Sequence, residues 1–119
     1  MGRKQVSRVF KVVDSGDMSA AITSAETVVE QFDIVSYFIN WSGTGVSGSL
    51  VIEVSNDEEE YNKTWKELDF NTTISISTDS GKDQILIKDV HFKRIRIRYV
   101  FTAGTGSMDV EIKSTTKGA

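Results

Sequence analysis

Residues 92 to 114 read FKRIRIRYVFTAGTGSMDVEIKS, and this stretch decides the fold class. From Phe92 to Phe101 isoleucine and aromatic residues alternate with arginine, and from Ser107 to Ser114 apolar residues alternate with charged ones. A period of two places successive side chains on opposite faces of a β-strand. The glycine-containing segment from Thr102 to Gly106 has the composition of a turn. The stretch therefore predicts a β-hairpin.

The same alternation recurs along the chain and predicts further short strands. They are expected at Val6 to Val13, about Gln31 to Trp41, Ser49 to Ser55, residues 73–77 and residues 84–90. The segment MSAAITSAETVVE, residues 18–30, is rich in Ser, Thr and Val and is expected to be a short strand or irregular. Seven or eight strands without a recurring helix are typical of an antiparallel β-sandwich. We expect an all-β, jelly-roll-like sandwich.

Length and composition indicate one soluble domain. The chain has 119 residues, a net charge of −3, 39% hydrophobic and 26% charged residues, and no cysteine. The missing cysteines exclude disulfides, thiolate metal sites and thiol nucleophiles. The charge does not favour a nucleic-acid partner, and no run of about 18 apolar residues favours a membrane. We expect residues 1–13 to form a strand or arm available for intersubunit contact and residues 14–119 to form the sandwich.

The segment Gly43 to Gly48, GTGVSG, matches the G-x-G-x-x-G pattern of dinucleotide-binding loops. That pattern binds a pyrophosphate only where a helix follows it, because the helix N-terminus supplies the amide donors. Here the strand-like sequence Ser49 to Ser55 follows. We therefore expect no cofactor, and we interpret the glycines as a hairpin tip.

Arg94, Arg96 and Arg98 share one face of their predicted strand and form a basic stripe. If residues 92–114 form a hairpin, Asp109 and Glu111 lie opposite or diagonal to these arginines. Cross-strand ion pairs would then neutralise the stripe. An anionic partner surface remains the alternative.

Catalytic and metal-binding residues are not indicated by the sequence. His91 is the only histidine, so no nucleophile and base pair is apparent. The carboxylates of residues 57–60 do not have the spacing of an EF-hand loop, which leaves calcium as a minor alternative to a solvated surface. A hydrolase with a carboxylate pair would need two acids across a cleft, and nothing in the sequence places them there. We predict a protein that is not an enzyme.

Three aromatic residues have two possible roles. Trp41, Tyr61 and Trp65 are suited to plug a sandwich core, and they are also suited to form a flat platform for a sugar ring. The alternative function is accordingly a carbohydrate-binding β-sandwich module.

Two stretches resemble small β-sandwich proteins of tailed bacteriophage particles. The first has an apolar strand ending in Val-Ser-Asn-Asp at residues 54–57, a polar loop, and Trp65 followed by Leu68. The second, residues 89–114, has an aromatic residue before an Arg-Ile-Arg strand and a Gly-Thr-Gly segment. This sequence departs from the pattern in its inserted acidic loop, residues 58–63, in place of a short Asp-Gly turn.

The resemblance implies a structural protein of the virion, synthesised in the host cytoplasm. Its expected role is capsid decoration, a head fibre or a tail-associated module, and its expected partners are other virion proteins and itself, with a trimer as one candidate homo-oligomer. A glycan is a further candidate ligand. The basic N-terminal arm is suited to an acidic neighbour, and exposed strand edges can pair between subunits. The candidate partner contacts are Arg3, Lys4, Arg8, Glu58, Glu59 and Glu60.

Overall fold

The computed structural model of the protein describes residues 7–56, 64–68, 74–88 and 90–116. Within these ranges the chain forms eight β-strands and no helix, so none of the described segments is a membrane-spanning helix. The strands are β1 (Ser7–Asp17), β2 (Ile22–Thr23), β3 (Thr27–Val28), β4 (Ile34–Ser55), β5 (Lys66–Glu67), β6 (Ile74–Ile76), β7 (Ser80–Lys88) and β8 (Arg94–Thr115). All pairings are antiparallel. The predicted all-β antiparallel sandwich is confirmed.

Two strands of 22 residues each, β4 and β8, run through the centre of the sheet. They pair along their whole length, from Ile34 opposite Thr115 to Ser55 opposite Arg94. The hairpin predicted at residues 92–114 is therefore wrong, because both of its halves belong to β8 and pair with β4. The hairpin tip predicted at residues 43–48 is wrong for the same reason, since these residues lie in the middle of β4.

Both long strands bend at their Gly-Thr-Gly segments. A straight strand of 22 residues spans about 73 Å, whereas the longest dimension of the molecule is 52 Å. The β4 and β8 register shifts between Thr44 and Gly48, which is the signature of a bulge. Gly45 and Gly104 have φ angles of 64° and 97°, in the left-handed region that favours glycine.

The bend divides the sheet into two layers. Layer I contains residues 34–43 of β4 and 106–115 of β8, flanked by β1 beside β8 and by β7 beside β4. Layer II contains the other halves of β4 and β8, flanked by β2 and β3 beside β8 and by β5 and β6 beside β4. The short strands β2 and β3 confirm the expectation for residues 18–30.

The inner faces of the two layers share one hydrophobic core. Alternate residues of each strand supply it, as the period-two pattern predicts. The core residues of β4 and β8 include Val35, Tyr37, Ile39, Met108, Val110 and Ile112 from layer I, with Leu50, Ile52, Ile95, Ile97 and Tyr99 from layer II and Val46 at the bend. Burial of each large apolar side chain contributes about 1.5 to 3 kcal/mol. This shared core favours packing of the two layers against each other.

Thr78 and Asp79, in the segment before β7, accept hydrogen bonds from β4 at the bend. The Gly43 amide donates to the carbonyl of Asp79 at 2.6 Å, and the Gly45 amide donates to the Asp79 carboxylate at 2.8 Å. The Trp41 indole donates to the carbonyl of Thr78 at 2.9 Å, while its ring lies against Gly81 of β7. The bulged backbone amides of β4 therefore have acceptors although they have left the regular ladder.

Two glycine substitutions test the bend. A Cβ on Gly104 would meet the backbone of Gly45 and would lie 2.8 Å from Cα of Val46, whereas a Cβ on Gly45 would meet only Cα of Gly104, at 4.0 Å. Gly104→Ala adds a backbone clash to left-handed strain and should cost about 3 kcal/mol or more. Gly45→Ala adds the strain alone and should cost about 1 kcal/mol. Urea denaturation gives both values, and equal, small losses would contradict the close crossing of the strands.

Candidate interaction surfaces

The basic stripe is neutralised by a partly buried ion-pair cluster on the outer face of layer II. The Arg96 Nε donates to one Glu53 oxygen at 2.7 Å, and an Arg98 terminal nitrogen donates to the other at 3.3 Å. Glu53 lies directly opposite Arg96 in the ladder and is 9% exposed. The prediction of cross-strand ion pairs is right in kind, but its partners, Asp109 and Glu111, are wrong. The carboxylate comes from β4 instead.

Two further contacts occupy this basic face. The Arg96 guanidinium lies over the Trp65 ring, 4.1 Å from the ring centroid, in a cation–π contact. Arg94 pairs with Glu26 at 3.5 Å. The three arginines therefore each have a carboxylate partner, and the Trp65 ring packs against one of them.

Asp109 organises the charged groups near the bend in layer I. Its carboxylate accepts from the Ser15 amide at 2.9 Å and from the Lys11 ammonium at 3.1 Å. These two donors, the amide first, lower the pKa of Asp109. The hydrogen bonds to Asp109 and then to Asp14 raise the pKa of Lys11. Ser15 has a φ of 51°, so this anchor fixes an irregular part of β1.

A cleft of about 540 Å³ opens between β1 and β3. A hydrogen bond of 3.2 Å from the Ala25 amide to the Val12 carbonyl joins β1 to the segment between β2 and β3. Apolar side chains from both sides line the cleft, together with a few polar ones. The lining residues are Arg8, Phe10, Lys11, Val12, Ala25, Glu26, Thr27, Val28, Gln31, Phe32 and Ser114.

Some polar side chains of this cleft have ion-pair or hydrogen-bond partners within the protein, and others do not. Lys11 is paired with Asp14 and Asp109, both at 3.1 Å. Arg8 has no ion pair within the described residues, and it is exposed. Ser114 is 1% exposed, and its hydroxyl has no hydrogen-bond partner in the described part of the chain. The cleft thus combines apolar walls, a free cation and an unsatisfied buried hydroxyl.

The outer face of layer I carries a second apolar feature. Phe38 of β4 and Leu86 of β7 are 38% and 50% exposed. Because Leu86 lies opposite Ser36, two residues before Phe38, the two side chains are diagonal neighbours. β7 pairs only with β4 among the described strands, so this apolar pair lies beside a sheet edge.

The predicted site residues are only partly described by the structure. Arg3, Lys4, Glu58, Glu59, Glu60 and Tyr61 lie outside the described residues. Arg8 lines the β1–β3 cleft. Trp41 lies in layer I beside the bend, and Trp65 lies on the outer face of layer II. These two rings are therefore not neighbours, and each has a contact within the protein. The sugar platform and the partner contacts stay predictions.

Sequence reasoning missed several residues of the cleft and of the outer face. Phe10 occupies an alternating position of the kind that usually faces a core, yet it is about half exposed. Val28 and Leu86 are equally exposed and lie next to the buried residues Val29, Ile85 and Ile87 in runs that are apolar on both faces. The misleading signal is alternation itself, which identifies a face but not whether another layer covers it. The clustering of Arg8 with β3 depends on contacts between distant parts of the chain.

Two clefts lined by described residues each contain one carboxylate. Glu26 lines the β1–β3 cleft, and Asp109 lines a shallower groove near Trp41. Among the described residues no group of three or more His, Cys, Asp and Glu side chains is placed to hold a metal ion. His91 is exposed. Neither cleft contains the paired acids that the hydrolase hypothesis requires.

The fold has close parallels among solved structures. No protein-family model matches the chain, and no curated protein matches its sequence. The SPBc2 prophage-derived protein YomS superimposes with a TM-score of 0.61 and 13% identity, over 95% of this chain and 96% of that one. The PBSX exported protein XepA has a TM-score of 0.61 and 12% identity, and the match covers 96% of this chain and 38% of that one.

A capsid structure has the same fold in part of its length. For the infectious bursal disease virus VP2 subviral particle, the TM-score is 0.58 with 10% identity over 95% of this chain and 33% of that one. This chain therefore spans about a third of the viral protein. At such low identities, the likeness establishes a shared β-sandwich fold.

The Glu53 cluster generates a test of the strand pairing. Glu53→Gln removes the carboxylate from two arginines and should cost about 1 to 3 kcal/mol. Glu111→Gln is the matched control, because Glu111 is exposed and should change stability by no more than about 0.5 kcal/mol. Chemical denaturation measures both. A larger loss in the Glu111 variant would favour the hairpin pairing and contradict the assignment of Glu53.

Proposed function

We propose that this chain is a non-enzymatic structural component of a bacteriophage or prophage particle and acts through protein–protein contacts. The observation that carries the proposal is the likeness to the prophage-derived YomS, which extends over almost the whole of both chains. The likeness to part of a viral particle protein supports the same role. Because one fold can serve many functions, the structural role needs a direct test of binding to particles.

The surface is suited to docking on neighbouring subunits. Among the described strands, β1 and β7 each pair with one long strand of layer I, so both present an edge to which another chain can add, except where the Val12 carbonyl of β1 already accepts from Ala25. Phe38 and Leu86 place an exposed apolar pair beside one of these edges. The proposed partners are other virion proteins and further copies of this chain, in a homo-oligomer such as a trimer. The proposed position is that of a capsid decoration protein, a head fibre or a tail-associated module.

Particle reconstitution tests this proposal. Particles assembled without this protein should bind the purified protein at a fixed stoichiometry. Co-sedimentation and quantitative mass spectrometry measure it. Leu86→Asp should weaken rebinding about tenfold if the apolar edge is the contact, since docking energy concentrates in a few buried side chains. Thr23→Asp adds the same charge at an exposed position of β2 in layer II, away from the apolar pair, and is the control. Protein found only free in the host, without affinity for particles, would refute the role.

A second candidate function is carbohydrate binding, and one groove favours it. The groove has a volume of about 460 Å³, lies beside the bend in layer I, and is lined by Trp41 together with Asn40, Lys82 and Asp109. An aromatic ring beside polar side chains is suited to a sugar, which has apolar faces and a polar rim.

Tryptophan fluorescence tests the sugar-binding candidate. A cognate glycan should quench the emission, Asn40→Ala should weaken the response, and Trp65→Phe should preserve it because Trp65 lies on the other layer. An unchanged spectrum across a panel of surface glycans would eliminate this candidate. A response that depends on Trp65 would place binding elsewhere.

A further inference from the structure

We propose that the cleft between β1 and β3 receives the acidic segment of a second copy of this chain. The acidic segment is residues 57–61, Asp-Glu-Glu-Glu-Tyr. Tyr61 would enter between the apolar walls of the cleft, and the carboxylates would face Arg8. The inference rests on the self-association included in the proposed function and names its contact.

The cleft has a size and lining suited to an aromatic anchor. Phe10 and Val28 are 48% and 51% exposed, and Phe32 contributes a further ring. These side chains converge from β1, from β3 and from the segment between β3 and β4. Exposed apolar side chains that converge on a concave site are typical of interaction sites, because their burial by a partner is favourable.

A buried hydroxyl inside the cleft independently points to a ligand. Ser114 is almost completely buried and lines the cleft, but its hydroxyl has no partner among the described residues. Buried side-chain hydroxyls in native proteins nearly always have a hydrogen-bond partner. Because the oxygen itself is buried, a tyrosine hydroxyl or a carboxylate entering the cleft bonds to it only after side chains of the lining move. Docking of the acidic segment therefore includes a rearrangement of the cleft around Ser114.

The charges favour an acidic occupant. Lys11 is paired within the fold, and Glu26 is paired with Arg94 at 3.5 Å. Arg8 is left as the cation without an ion pair among the described residues. The acidic segment contributes four consecutive carboxylates next to its aromatic residue. Complementary charge of this kind guides association and specifies the partner.

The chain topology favours a second copy over the same copy. Val28 pairs with Arg94, and Arg94 pairs with Ser55 on its other side, so β8 separates the end of β4 from the cleft. The acidic segment leaves the described chain at Asn56 and rejoins it at Thr64, next to β5 and across β8 from β3. A contact between a cleft on one copy and a segment on the next is head to tail, and it closes into a ring where the rotation permits.

Cysteine crosslinking tests the proposal without background, because the chain contains no cysteine. A Val28→Cys variant is mixed with an affinity-tagged Tyr61→Cys variant under mild oxidation. The control pairs Tyr61→Cys with Val100→Cys, a site on layer II that is 37% exposed against 51% for Val28. Mixed disulfide dimers are resolved by mass on a non-reducing gel.

We expect Val28→Cys to form mixed dimers with Tyr61→Cys at least about tenfold faster than the control does. Arg8→Glu in the Val28→Cys chain should lower the rate of dimer formation by a similar factor.

The alternative outcomes are distinct. Equal rates for the two pairs, or no effect of Arg8→Glu, would overturn the docking of the acidic segment in this cleft. A Val28→Cys/Tyr61→Cys double variant that forms only an intramolecular disulfide when dilute, with no mixed dimers from the single variants, would assign the segment to its own cleft and overturn the second copy. Particle rebinding is measured separately. A protein that rebinds particles but fails the crosslinking test would refute this contact and leave the proposed function standing.

Discussion

At their Gly-Thr-Gly segments β4 and β8 cross so closely that a Cβ on Gly104 would meet the backbone of Gly45. Straight strands of this length would form a flat ribbon that could bury only one face. The bend at Gly45 and Gly104 allows one pair of strands to supply both layers of the sandwich and a common core. Only residues without a Cβ permit this approach, because Gly104 meets the backbone of the opposite strand. The carbonyl and the carboxylate of Asp79, in the segment before β7, then accept from the Gly43 and Gly45 amides that the bulge leaves outside the ladder.

The same bend determines the surfaces available for interaction. It pairs each half of β8 with β4, so Glu53 comes to lie beneath Arg96 and Arg98 and neutralises the arginine stripe. It also brings β1 of layer I close to the β2 and β3 segment of layer II, with the cleft lined by Arg8 and Ser114 between them. The basic stripe that is conspicuous in the sequence is therefore internally paired, whereas the less conspicuous Arg8 is available to a partner.

The sequence predicts the strands well and their partners poorly. Alternation identifies the strands around Ile52 and Ile97 because inward and outward positions differ in polarity, and this depends on local sequence alone. A glycine-rich break has the same local signature in a hairpin and in a bulge, so the pairing of residues 92–114 could be settled only by contacts between distant residues. The mirrored positions of the two Gly-Thr-Gly segments were the available clue. For the site, Arg8 is a predicted partner contact because of its charge in the basic N-terminal segment, but the cleft around it depends on where β3 packs, which no local pattern specifies.

The pairing of β4 with both halves of β8 is the central structural claim, and nuclear Overhauser effects between backbone protons test it most directly in a protein of 13.2 kDa. The observed register requires cross-strand contacts between Glu53 and Arg96 in layer II and between Tyr37 and Ile112 in layer I. Contacts linking Arg98 to Glu111 as opposing hairpin residues, without contacts from either half of β8 to β4, would contradict it.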